Sequence, residues 1–198
     1  MSAAPTPFLT PKQYLEIEEK AKFKSEYWDG QMYARAGGTP RHSEAGTRFA
    51  ASVINRLGDG CGVFNSDLRL RDSEDGLYTY PDISIVCGEP EYGESHTLTN
   101  PTVLVEVLSP STEASDRGFK FERYQHLESL REYVLISQEK PRVETYLRQP
   151  DGSWRYQSVE GLHTSVTLRS IGIEVPLSEI YRGITFRDWF ASKVKDPV

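Results

Sequence analysis

Two short apolar runs constrain this chain more than any other feature. "YPDISIV" (80–86) carries Asp82, and "TVLVEVLS" (102–109) carries Glu106. Continuous Val, Ile and Leu mark a strand buried on both faces. A carboxylate in such a run is costly unless it is paired, hydrogen-bonded or bound to a metal. Side chains alternate across a strand, so Asp82, Ser84 and Val86 share one face, and Glu106 shares its face with Leu104 and Leu108. If the runs pair as neighbours, a strand spacing of about 4.8 Å lets the two acids bracket one divalent cation. Mg²⁺ suits such a pair, because it takes one or two carboxylates and keeps waters for substrate phosphates. Without a cation the two acids raise each other's pKa.

The pattern around these runs gives the element order. "LTPKQYLEIEEKA" (9–21) predicts a helix capped by Thr10, with Pro11 at its first position. "SEYWDGQMYARAG" (25–37) predicts a hairpin turning at Asp29–Gly30. "GGTPRHSEAGTRFAASVINRLGDG" predicts a helix with Thr39 as N-cap, stopped at Gly58 and Gly60. Strands are expected at 61–71, 80–88 and 102–109, a helix at about 116–130, and further strands at 131–137 and 142–149. Asp151–Gly152 then turns into "SWRYQSV". Helix, three strands, helix, then more strands is an α/β (α+β) order on a mixed sheet, not a doubly wound alternation.

The helix after Glu106 adds a cation. At 100° per residue, Lys120, Tyr124 and Leu127 fall within one arc with Phe121, the arc expected to face the sheet. Lys120 stands at its edge, where its stem can lie on apolar surface while the ammonium reaches inward. An ammonium beside two metal-binding acids suits phosphodiester hydrolysis. His42 lies on the inward arc of its helix with Phe49 and Val53, either to bind phosphate or orient an acid, or as a core histidine. Glu44 points the other way and is expected in solvent. Asp67, on the polar side of its strand with Asn65 and Arg69, is either a further site acid or an exposed strand residue. Ser109 and Thr112 read as a turn before the helix. No nucleophile elbow, phosphate loop or zinc spacing occurs.

Length and charge set limits. A chain of 198 residues fits one domain, taken as 9–186, with an N-terminal tail at 1–8 and a terminal helix or tail at 187–198. No apolar stretch approaches the roughly 20 residues of a membrane span. The N-terminus lacks the basic start and apolar core of a signal peptide, so a cytoplasmic protein is expected, with Cys61 and Cys87 as buried thiols. A net charge of −6 counts against a strong, nonspecific grip on a polyanion. Trp154, Tyr156, Trp189 and Phe190 either form an interface or complete the core.

"PD" at 81–82, "VEVLSPST" at 105–112 and "DRGFKFERY" at 116–124 resemble a large bacterial family rich in cyanobacterial members. That family is identified with restriction endonucleases of the PD-(D/E)XK nuclease superfamily. "GGTPRHS" and "LREYVLIS" match it too, so the resemblance covers roughly residues 10–185. It implies a restriction endonuclease-like fold, a Mg²⁺ or Mn²⁺ cofactor, DNA as substrate and a homodimer. By the same resemblance Asp82 and Glu106 hold the metal. The position two after Glu106, normally lysine, is Leu108, and the resemblance assigns the lysine to Lys120 in the next helix. Three functions follow: a metal-dependent endonuclease acting on DNA, an inactive nucleic-acid-binding or protein-interaction module on the same fold, or a hydrolase of small phosphate esters.

Overall fold

A six-stranded mixed sheet carries both acidic runs at its centre. The computed structural model describes residues 8–35, 37–73 and 76–186. The expected terminal helix or tail at 187–198, with Trp189 and Phe190, lies outside the described residues, as do residues 1–7 of the N-terminal tail.

The chain opens with α1 (Pro11–Glu18), capped by Thr10 and Gln13 in a reciprocal box that satisfies two orphan amides. The hairpin β1 (Ser25–Trp28) and β2 (Gln31–Ala34) turns at Asp29 and Gly30, both at positive φ (48° and 73°). That is the twist-matched two-residue turn favoured by Asp-Gly. Helix α2 (Pro40–Ile54) starts at the Thr39 cap. The strand expected over 61–71 is instead split into β3 (Cys61–Asn65) and β4 (Leu70–Arg71). Between them, Asn65 Oδ1 accepts the Asp67 amide, a side-chain turn that ends the ladder.

After β5 (Tyr78–Thr79) come β6 (Ile83–Cys87) and β7 (Val103–Leu108), antiparallel and in register with Ser84 opposite Leu104. Continuing that register one pair beyond Ile83–Val105 sets Asp82 opposite Glu106. The crossover to β8 (Glu132–Ser137) is helical but shorter than expected. It consists of α3 (Glu113–Ser115), one wide π turn (Asp116–Lys120) and α4 (Phe121–Tyr124), ending before 130. Strand β8 pairs in parallel with β7, and β9 (Arg142–Arg148) and β10 (Trp154–Glu160) extend the sheet antiparallel. The six-stranded order is β10-β9-β8-β7-β6-β3, and the small sheet order is β2-β1-β5-β4. A last pair, β11 (Ser165–Leu168) and β12 (Ile173–Pro176), leads into α5 (Leu177–Ile180).

The two faces of the large sheet carry separate cores. Val103, Val105 and Val107 pack with Phe49 and Val53 of α2 and with Val175 and Ile180. A Cβ on Gly46 would lie 3.3 Å from Val107, so this glycine sets how closely α2 approaches β7. On the other face Leu104, Leu108 and Val86 pack with Leu135, Tyr124 and Tyr133. Glu106 points to this second side. Trp154 joins its edge through Phe121, whereas Tyr156 on the outer strand is 48% exposed.

Cys61 and Cys87 correct the expectation of free thiols. They lie directly opposite each other across β3 and β6 and form a disulfide.

Candidate active site

Strand β7 delivers Glu106 into an almost dry pocket, 2% exposed. Its Oε1 accepts from the Tyr124 hydroxyl at 3.0 Å and lies 3.3 Å from Lys120 Nζ. Its Oε2 accepts a long bond, 3.3 Å, from the backbone amide of Asp82. A carboxylate has about four lone-pair sites, so this oxygen keeps capacity for another partner.

Asp82 sits just ahead of β6, where Pro81 ends the preceding extension. Its Oδ2 accepts the Val107 amide at 2.8 Å and lies 3.2 Å from His42 Nε2, while Arg35 donates to Oδ1 at 2.7 Å. Burial works against its charge, but His42, the Val107 amide and Arg35 outweigh that penalty and hold the carboxyl below its ordinary range. Glu106 shows the opposite balance. Burial is the main cause, and with repulsion from Asp116 and Asp82 it outweighs Lys120, pushing the carboxyl up to about 8.

Lys120 is 6% exposed and ringed by acids, with Asp116 at 3.1 Å and Glu26 and Glu106 each at 3.3 Å. Burial opposes its charge, yet Glu106, Glu26 and Asp116 together hold its pKa well above the ordinary lysine value. It is a permanent ammonium. Glu26 is in turn fixed by the Thr79 hydroxyl, which donates at 2.5 Å.

The structure therefore brings Asp82, Glu106, Lys120 and His42 together. Asp67 is elsewhere: its side chain is 77% exposed and bonded to Lys24 and Asn65. Glu44 pairs with Arg48 one turn along α2. Ser109 bonds within its own turn, to Ser111 and Thr112. Leu108 packs in the apolar core on the same strand face as Glu106 and brings no charge to the site.

Glu26, Arg35 and Asp116, and the hairpin's place beside the two acids, did not emerge from the sequence. A signal exists in the alternation: Lys24, Glu26 and Trp28 share one face of β1, and Gln31, Tyr33 and Arg35 share the matching face of β2. Asp116 stands four residues before Lys120, the spacing of a helical ion pair.

The donor set can be tested against a metal ion. Four carboxylates (Glu26, Asp82, Glu106, Asp116) gather around Arg35 and Lys120, and the proton that burial holds on Glu106 is one a bound cation would displace. Among the described residues no group of three or more His, Cys, Asp or Glu side chains is arranged to hold a metal. The pair Asp82 and Glu106 nonetheless fits a hard, largely hydrated divalent cation, which needs one or two carboxylates and no enclosing cage.

A mixed sheet with helices on its faces, one acid within β7 and another just ahead of its neighbour β6, defines a restriction endonuclease-like fold. The comparisons agree. Residues 11–178 match the model of the Uma2 family, described as "Putative restriction endonuclease", and the chain belongs to that family. A protein of Synechocystis sp. (strain ATCC 27184 / PCC 6803 / Kazusa), uncharacterized protein slr1290, is 40% identical over 93% of this chain and 97% of its own length. A second, sll1609, is 33% identical over 84% of this chain and 96% of its own. In structure the chain resembles a "putative nuclease belonging to DUF820" from Anabaena variabilis ATCC 29413. That match has a TM-score of 0.72 over 89% of this chain and 99% of the other, at 16% identity. Among the described residues no helix is long and apolar enough to cross a membrane.

Proposed function

We propose that the protein is a Mg²⁺- or Mn²⁺-dependent endonuclease that hydrolyses DNA phosphodiester bonds. The observation that carries this is the meeting of Asp82, Glu106 and Lys120 at one point. Asp82 and Glu106 would hold the cation. When bound it supplies Lewis acidity toward a phosphate oxygen and lowers the pKa of a water. The chain's own residues do the rest. His42 and Arg35 fix the Asp82 carboxylate in place from two sides. Lys120, protonated throughout the physiological range, donates to the attacking water or to the charge that develops on the phosphate oxygens, and does not act as a base. Tyr124 keeps Glu106 aimed.

Leu108 no longer argues for an inactive module, since Lys120 supplies the ammonium from the helix. The domain of 9–186 is read as the working unit, in a homodimer whose two sites cut two strands. Among the described residues β10 is an edge strand of the large sheet and offers one surface for such pairing. A cytoplasmic setting, where DNA is found, is part of the same reading. The deciding experiment incubates single-stranded, duplex and branched DNA with Mg²⁺ or Mn²⁺ and wild type or Glu106→Gln. Cleavage by wild type alone is expected. Binding without turnover would leave the inactive module, and turnover of nucleotides but not polymers would leave the small-ester hydrolase.

A further inference from the structure

The hairpin face that completes the candidate site also carries an aromatic stack. Tyr33 lies directly opposite Glu26 in the β1–β2 ladder, and Trp28 is two residues along from Glu26. All three therefore project from one face, with Arg35 continuing it. Glu26 reaches Lys120 and Arg35 reaches Asp82, so this face borders the two acids and the ammonium. Trp28 and Tyr33 stack with centroids 3.5 Å apart and planes 5° from parallel. Phe119, the residue before Lys120, tilts against Trp28 at 5.2 Å. Trp28 and Phe119 are anchored on the apolar core, whereas Tyr33 remains 36% exposed.

We propose that Trp28 and Tyr33 form a stacking platform for an unpaired nucleobase of DNA beside the scissile phosphate, so that the preferred substrate is single-stranded or locally unpaired DNA. This rests on the nuclease reading for the position of the phosphate. A base inside a duplex has both faces covered by its neighbours, so only an extruded or single-stranded base can lie on Tyr33. The charge balance points the same way. A chain of net charge −6 gains little from phosphate neutralisation, the main source of affinity for duplex DNA, whereas stacking is independent of that balance. The ring pair is flat, aligned and held from behind by Phe119.

The test measures anisotropy of a labelled oligothymidylate and of a labelled duplex of equal length, in EDTA so that nothing is cut. Wild type should bind the single strand more tightly than the duplex. Tyr33→Ala should weaken single-strand binding about tenfold, and Tyr33→Phe, which keeps the ring, should restore it. Equal affinity of wild type for both probes, no binding of either, or unchanged binding by Tyr33→Ala would overturn the platform. Parallel cleavage assays keep the two readings apart. Ring-dependent binding without cleavage retains the platform and rejects the nuclease; cleavage that ignores Tyr33→Ala does the reverse.

Discussion

Asp82 and Glu106 are joined by a reciprocal pair of backbone contacts: the Asp82 amide donates to Glu106 Oε2, and the amide following Glu106 donates back to Asp82 Oδ2. Each acid is thus positioned by the other's strand, so the spacing between them is fixed by the β6–β7 ladder and not by flexible side chains. Glu106→Gln keeps the shape and the Tyr124 contact while removing the charge. DNA cleavage should fall by about 100-fold or more, with the unfolding midpoint unchanged or raised, since a buried carboxyl is removed. Asp82→Ala should abolish Mg²⁺ binding in calorimetric titration; equal heats from wild type and variant would remove the proposed metal pair.

Lys120 is the counter-charge for three acids. Lys120→Met leaves Glu26, Glu106 and Asp116 facing one another without a cation, and should cost about 3–5 kcal/mol in urea unfolding at neutral pH. Much of that loss should return at pH 5, where the acids take up protons. Lys120→Arg should not restore cleavage, because a planar guanidinium cannot replace a compact ammonium among three close carboxylates.

The protonation of Glu106 gives a pH signature. Its ordinary value is 4.5 and burial lifts it to about 8 in the folded protein. Between those values the folded state holds a proton that the unfolded chain has released. Its stabilising contribution is therefore complete below about pH 4.5 and is lost as pH rises through about 8, on the order of a few kcal/mol. Unfolding free energy measured across this range should fall with pH in wild type, show a smaller slope in Glu106→Gln, and flatten when Mg²⁺ is added. A wild-type slope matching that of Glu106→Gln would show that Glu106 is not the proton-holding group.

Gly38 makes room for His42. A Cβ there would stand 2.6 Å from His42 Nδ1, closer than atoms tolerate, so Gly38→Ala must turn the imidazole. With Nε2 displaced, Asp82 loses the first of the partners that keep it ionised. Its titration, followed by carboxyl NMR, should move upward, and cleavage should drop about tenfold, matching His42→Ala. A Gly38→Ala protein with an unmoved Asp82 titration would mean that His42 does not hold the acid.

Cys61 and Cys87 close a loop of 26 residues, and their disulfide should contribute about 3 kcal/mol by restricting the unfolded chain. Paired unfolding curves with and without reductant should differ by this amount. Cleavage should not change, because the bond lies at the far end of β6 from Asp82. A reductant effect on turnover without an effect on stability would contradict this separation.

What the sequence made legible follows from the range of each interaction. The convergence of Asp82 and Glu106 depends only on strand alternation and neighbour pairing, and both are local enough to read. The Thr10 and Thr39 caps and the Asp29–Gly30 turn are local as well. Glu26 and Asp116 were hidden because their importance depends on which strand and helix pack against Lys120, a tertiary fact. The 100° rotation set Lys120, Phe121, Tyr124 and Leu127 toward the sheet, and all four pack there, Lys120 and Tyr124 on Glu106 and Phe121 on Tyr133. The wide π turn over Asp116–Lys120 is not legible in that periodicity. The two cysteines were read through compartment chemistry, which carries no knowledge of register.

That single wide turn acts as a phasing insert. One residue more per turn than the α-helix shifts everything after Ser115 around the axis, and Lys120 is aimed by that offset. Deleting Gly118 would let the segment relax to ordinary pitch and swing the ammonium about 100° out of the acid ring. The strand is thereby relieved of supplying the basic group. Position 108 is left free to pack as leucine, and the basic group can be re-aimed by the length of one helical turn without disturbing the strands that hold the acids.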